Sequence, residues 1–329
     1  MDSLLFALGA VAPIILMVVF GYFLKRIGWI QGDFAKDANK LVFRVFMPVM
    51  LFLNIYRIED LSGMDFGYIG FVVVALLAVF LLSIPATVIA ARRKNRRGVL
   101  MQAAFRSGYS LIGIPLAESL YGTEGAIAAT LLSAAVIPLF NILAVISLSA
   151  FGNDGEQKPG FKKIALDIIK NPLILGILAG VAALGIRALL VRAGISFRLS
   201  DLTPLMTALQ YISNLAIPLA LLVLGAQFEL SAVSSLRREI IFGTVVRTVV
   251  VPLLAIGAAY LFFRDRFGPA HFATLVAVFA TPVAVPSVPM VQEMGGDVTL
   301  AGQLVIWSTL VSALTVFLTT FLLRLGGAF

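Results

Sequence analysis

No cysteine occurs in the chain, and histidine occurs once, as His271. The first absence excludes disulfides, thiol nucleophiles and thiolate metal sites. The second leaves no histidine cluster for a metal and no Ser/His/Asp set for hydrolysis. No Gly-x-x-x-x-Gly-Lys-Ser/Thr stretch is present, so nothing points to ATP as an energy source, and no cofactor is expected. Charge is scarce as well. Asp, Glu, Lys and Arg make up 13% of the 329 residues, against about 25% in soluble domains. Hydrophobic residues reach 60% and the mean hydropathy is +1.02. The sequence therefore reads as an all-α polytopic membrane protein, with no enzymatic activity expected. The net charge of +8 does not mark a nucleic-acid binder, because the basic residues fall in short loops between apolar spans.

Apolar spans fall at 4–24, 39–57, 66–90, 98–121, 124–150, 168–190, 204–226, 240–263, 271–293 and 297–324. Each is near the roughly 20 residues that a helix needs to cross a bilayer. The first is expected to remain as a helix, since Lys25 and Arg26 follow its apolar run and no basic segment precedes it. With the N-terminus outside, fifteen lysines and arginines fall in inner loops and seven in outer ones. That bias predicts both termini outside. Trp29 reads as an interfacial anchor, and His271 as the edge of the ninth span.

The longest polar interval, Gly152–Gly160, divides the chain into 1–155 and 156–329, five spans in each. An odd number of spans per half turns the second half upside down. A weak repeat agrees: Pro13, Pro48 and Pro115 with Gly122 correspond to Pro172, Pro218 and Pro289 with Gly296. The fold expected is ten membrane helices in two inverted five-helix repeats.

Two spans contain residues that break helices. In the fourth, Arg106-Ser-Gly-Tyr-Ser-Leu-Ile-Gly-Ile-Pro115 places Gly108, Gly113 and Pro115 within ten residues. In the ninth, Ala280-Thr-Pro-Val-Ala-Val-Pro-Ser-Val-Pro289 holds three prolines. Unpaired backbone at membrane depth is tolerated only where protein or a water-filled cavity covers it. Interrupted spans in matching positions of two halves point to a transport site. Both breaks lie near mid-membrane, and two restarted helices would aim free N–H groups at one point from opposite sides, an arrangement suited to a carboxylate.

Arg106, Ser107, Gly108, Tyr109, Ser110, Gly113 and Pro115 from the first break are the candidate substrate residues. Thr281, Pro282, Val283, Ala284, Pro286 and Ser287 are their counterparts from the second, with Asn54, Gln227 and Gln292 as low-specificity polar contacts. Three arginines lie inside spans. Arg44 is expected to reach back to the inner surface, Arg106 to attract substrate, and Arg247 to support the crossing. Glu118 and Glu293 are the acidic residues nearest the breaks, both close to an interface.

The sequence resembles the auxin efflux carrier family, which includes plant auxin carriers and bacterial malate-permease-like proteins. The resemblance rests on Gly21-Tyr22, Asn39 through Pro48, Gly113-Ile-Pro115 with Tyr121-Gly122, Asn171-Pro172, Leu224-Gly225, Arg247 ahead of Pro252, and Ala280-Thr-Pro282. It implies a scaffold of helices 1, 2, 6 and 7, often dimeric, and a moving domain of helices 3–5 and 8–10. It also implies substrate held where broken helices 4 and 9 cross, elevator-like alternating access, and organic anions as cargo. In that family an asparagine that contacts the substrate carboxylate commonly stands five residues before the glycine of Gly-Ile-Pro; here the position is Gly108. The short central loop fits a prokaryotic, inner-membrane protein. The expectation is a secondary transporter of small carboxylates. A bile-acid-type sodium symporter, a carrier-derived sensor and an anion channel are the alternatives.

Overall fold

The computed structural model describes residues 2–58, 65–151, 165–166 and 168–329, with the side chains of residues 2–8 and 10 excepted. The polar interval Gly152–Gly160 and the loop lysines Lys158, Lys162 and Lys163 lie outside the described residues. The chain is nearly all helix, with no strand among the described residues.

In order the helices are α1 (Asp2–Arg26), α2 (Gly32–Tyr56), α3 (Phe66–Ala90), α4 (Lys94–Phe105) and α5 (Tyr109–Phe151). There follow α6 (Pro172–Arg192), α7 (Thr203–Gln227), α8 (Ala232–Phe263), α9 (Pro269–Phe279), α10 (Ser287–Glu293) and α11 (Val298–Leu325). Seven of these, α2, α3, α5, α6, α7, α8 and α11, are long and apolar enough to cross a bilayer. The 43-residue α5 bends where Tyr121 and Gly122 leave helical geometry, Gly122 at φ +58°. That angle suits glycine and strains other residues.

Three helices contain one wide π turn each: Val42–Phe46 in α2, Tyr109–Gly113 in α5 and Val246–Val250 in α8. In every case a proline stands two residues beyond, at Pro48, Pro115 and Pro252. Proline offers no N–H, and its ring collides with the carbonyl four residues back. In all three turns the preceding residue bonds five residues back instead: Met47 N–H to Val42 O, Ile114 N–H to Tyr109 O, and Val251 N–H to Val246 O. The wider turn opens the space the ring needs, so each helix continues past its proline.

α1 packs on α7 and the C-terminal half of α2 packs on α6. Gly21 and Gly225 make the first of these contacts close, since a Cβ at Gly21 would strike Leu222 O and one at Gly225 would strike Val18 O. The remaining helices gather around two short segments. Every residue of α4 from Gly98 to Phe105 is buried, as is every residue of α9 from Phe272 to Phe279. Helices apolar and buried on all sides belong to an interior, and these two end at the broken stretches.

Candidate functional site at the crossing of two broken helices

α4 stops at Phe105 because Arg106 turns extended (φ −86°, ψ 103°), and the chain resumes helix at Tyr109. α9 stops at Phe279, two residues before Thr281, whose helical geometry the following Pro282 disfavours. Two main-chain hydrogen bonds then join the breaks: Gly108 N–H to Pro282 O (2.8 Å) and Ala284 N–H to Arg106 O (3.2 Å). Ser107 and Val283 thus face each other as an antiparallel bridge. Each interruption supplies part of the pairing the other has lost, as buried backbone requires.

Arg247, on the π turn of α8, is fully buried against both helix ends. Its Nε donates to Thr281 O (2.8 Å), Nη2 to Val278 O (2.8 Å) and Phe279 O (3.0 Å), and Nη1 to Ala104 O (3.1 Å) and Phe105 O (3.4 Å). The last carbonyls of a helix have no internal partners and carry its negative dipole end. One planar guanidinium caps two such ends together, a geometry that a lysine ammonium cannot reproduce.

Arg106 is also buried, at 4% exposure, and is held differently. Its Nη2 donates to Asn141 Oδ1 (2.9 Å) and its Nη1 to Met290 Sδ (3.0 Å). Both partners are neutral, and no ion pair neutralises it among the described residues. Two buried hydroxyls on the breaks, those of Ser107 and Ser287, have no hydrogen-bond partner among the described residues. Among the described residues, the N–H groups of Tyr109, Ser110 and Leu111, the opening turn of α5, have no main-chain partner either. A cavity of about 50 Å³ adjoins Arg106, Ser107 and the α5 amides, bounded by Arg106 through Ser110, Asn54, Asn141 and Val283 through Pro286. That space has room for a few waters and is too small for a dicarboxylate, so the cavity is closed to one in this conformation.

Eight of the thirteen candidate substrate residues bound this cavity: Arg106, Ser107, Gly108, Tyr109, Ser110, Val283, Ala284 and Pro286. Tyr109 turns its hydroxyl away, onto Ala129 O at 2.6 Å. The other five stand back from it. Gly113 packs under α9, where a Cβ would come within 2.7 Å of Ala277 O. Pro115 lies further along α5 and is exposed. The Thr281 hydroxyl bonds back to Ala277 O (2.8 Å) while its carbonyl serves Arg247, and Pro282 spends its carbonyl on Gly108. Ser287 is buried at the start of α10, outside the cavity wall.

The expectation of two helix starts aimed at one point needs correction. The chain before α10 closes on itself, with Ser287 N–H on Ala284 O and Val288 N–H on Val285 O, while Val283 N–H donates to Ser308 Oγ. Among the described residues, only the α5 start keeps a run of free amides at the cavity.

Of the supporting residues, Asn54 borders the cavity and Gln227 does not. Gln227 belongs to an amide cluster at the other end of α10. There Asn39 Nδ2 donates to Gln227 Oε1 (3.1 Å) and Gln292 Oε1 (2.8 Å), and Gln227 Nε2 donates to Gln292 Oε1 (3.1 Å). Arg44 is exposed, and it pairs with Glu293 at 3.0 Å. Glu118 is exposed and away from the cavity. Trp29 is 78% exposed, and the His271 ring lies 3.9 Å from Asp65 at the opening of α9. Sequence reading passed over Asn141 and Met290, which hold Arg106. The signal for Asn141 was present as a lone amide within the apolar run of span 5.

A broken-helix crossing of this kind, buried within long apolar helices, invites comparison with known carriers. The chain matches the family described as membrane transport protein over residues 6–320. It belongs to that family, the auxin efflux carriers. Among curated relatives of this carrier, a protein of Methanothermobacter thermautotrophicus named "Uncharacterized transporter" is 24% identical over 319 residues, covering 92% of this chain and 93% of that one. A protein of Rhizobium meliloti named "Putative malonate transporter" is 25% identical over 333 residues, covering 97% and 96%. The carrier is accordingly a multi-pass membrane transport protein.

Proposed function

We propose that this carrier moves small carboxylates across the membrane as a secondary transporter, binding them at the crossing of the two breaks. The observation that carries the reading is Arg106, a buried cation held by neutral partners at the edge of a closed cavity. A buried charge without a counter-charge is costly, and a substrate carboxylate would supply one. The free α5 amides and the Ser107 hydroxyl offer it further hydrogen bonds. The name of the Rhizobium relative supports the substrate class.

In this reading the chain makes ten crossings in two inverted repeats, 1–155 and 156–329. α4 with the start of α5 forms the fourth crossing, and α9 with α10 the ninth. Each broken crossing is followed by a glycine with positive φ, Gly122 or Gly295, and then a long helix. That twofold order supports the repeat. Helices α1, α2, α6 and α7 form the scaffold, consistent with their mutual packing, and a second copy joins through it. The rest moves to open the cavity to one side and then the other. Both termini face outside, in the inner membrane. Counterflow of labelled malonate and related acids in proteoliposomes tests the reading. Saturable exchange is expected; flux that never saturates indicates a channel, and no exchange with any carboxylate removes the substrate class.

A further inference from the structure

Away from the crossing, a groove of about 730 Å³ runs between α3 and the first turns of α8. Ala86 and Ala90, one helical turn apart, form its narrow α3 wall, and Ile241, Val245 and Val250 line the other side. Ile89 and Ile241 in its wall are 76% and 56% exposed. These residues belong to two helices long and apolar enough to span the bilayer, so the groove opens to lipid.

Arg237 and Arg238 stand at the groove's end, just where the apolar run of α8 begins. Two residues beyond Ala90 the chain adds Arg92 and Arg93. All four are exposed, and none makes an ion pair among the described residues. The single acid of the α8 start, Glu239, cannot neutralise Arg237 or Arg238. It is buried on the opposite side of the helix and bonded to Arg96 at 2.8 Å. Arg96 takes Asp297 as well, at 2.9 Å. The groove therefore joins an apolar trough to an unneutralised basic rim at headgroup depth. Basic pockets between membrane helices recognise acidic lipid headgroups.

We propose that this groove is a binding site for an acidic phospholipid, with the phosphodiester on Arg237 and Arg238 and an acyl chain along Ala86, Ala90 and Val245. The site is separate from the crossing and stands whatever the transported substrate is. An exposed basic residue near an acidic headgroup contributes roughly a fivefold factor in affinity, so the pair contributes about 25-fold.

The test is titration of delipidated, full-length protein in detergent with phosphatidylglycerol or phosphatidylcholine of the same chains, read by native mass spectrometry and thermal unfolding. Phosphatidylglycerol should be retained and raise the unfolding temperature, with high salt weakening it, while phosphatidylcholine does neither. The Arg237→Gln/Arg238→Gln variant should bind phosphatidylglycerol about 25-fold more weakly, and Arg192→Gln, at the far end of α6, should bind it as the wild type does. Equal binding of the two lipids, undiminished binding by the double variant, or an equal thermal shift from glycerol phosphate alone would each overturn the proposal. Should the double variant not fold, the salt dependence and lipid preference of the wild type decide by themselves.

Discussion

Nη2 of Arg106 lies 2.9 Å from Oδ1 of Asn141, and that amide is the only oxygen the guanidinium meets in the described structure. Asn141 in turn donates its Nδ2 to Ile137 O at 2.8 Å, which fixes the amide with its oxygen toward the arginine. Removing Asn141 leaves the cation in place and loosens its aim. A hydrogen bond to a charged group contributes about 1.5–3 kcal/mol. Asn141→Leu should therefore raise KM for the transported carboxylate by roughly tenfold or more. Initial uptake rates over a concentration series check this, and an unchanged KM with an intact fold would separate Asn141 from binding.

Arg247 should behave as a structural residue. Its loss would leave five buried carbonyl contacts unmade at two helix ends, each costing on the order of 1 kcal/mol or more. Arg247→Ala should lower the unfolding temperature sharply and yield little folded protein. Arg247→Lys should recover little of the loss, because an ammonium cannot reach both ends. Thermal unfolding of the two variants in one detergent is the measurement. A lysine variant as stable as wild type would contradict the shared-cap account.

The glycines at the crossing should divide in their response. At Gly108, with φ −72°, a Cβ would meet Pro282 O at 3.6 Å, an ordinary contact. At Gly113 it would press within 2.7 Å of Ala277 O and 2.8 Å of the Tyr109 ring. Gly108→Asn, which restores the amide its family resemblance leads one to expect, should fold normally and change affinity or substrate preference. Gly113→Ala should cost stability, of the order of the 1–3 kcal/mol seen for overpacked interiors. Side-by-side unfolding and substrate-competition curves check both expectations.

Much of this was legible in the sequence, and the reason is physical. Gly and Pro clustered within an apolar run weaken a helix there, so Gly108, Pro282 and Pro286 located both breaks, whereas the isolated Pro48 and Pro252 are carried through by π turns. The buried Arg247 was visible as a charge where lipid forbids one. The pairing between breaks was not legible, because a two-bond bridge from Gly108 to Pro282 and from Ala284 to Arg106 has no periodicity to read. Nor was the π turn: Pro115 read as part of the break, whereas the turn at Tyr109–Gly113 carries the helix through it. Gly21 and Gly225 could be recognised by family resemblance alone, until the packing of α1 on α7 gave each a carbonyl it must clear.

The alternating access proposed above moves α10 against α2. Arg44 and Glu293 form a 3.0 Å ion pair between these helices, and Gln292 is bonded to Asn39 beside it. The absence of native cysteine makes a cross-link clean. Arg44→Cys/Glu293→Cys joined by a short bifunctional thiol reagent should lose transport, and each single variant treated alike should keep it. Full transport by the cross-linked protein, with linkage verified on a gel, would contradict motion between these helices.

Equilibrium binding of radiolabelled malonate to purified protein tests the central claim most directly, with wild type and Arg106→Gln compared at matched folded fraction. The account predicts saturable binding by wild type, competed by other small carboxylates and weakened at least tenfold in Arg106→Gln. Equal carboxylate affinity in the two proteins would contradict it.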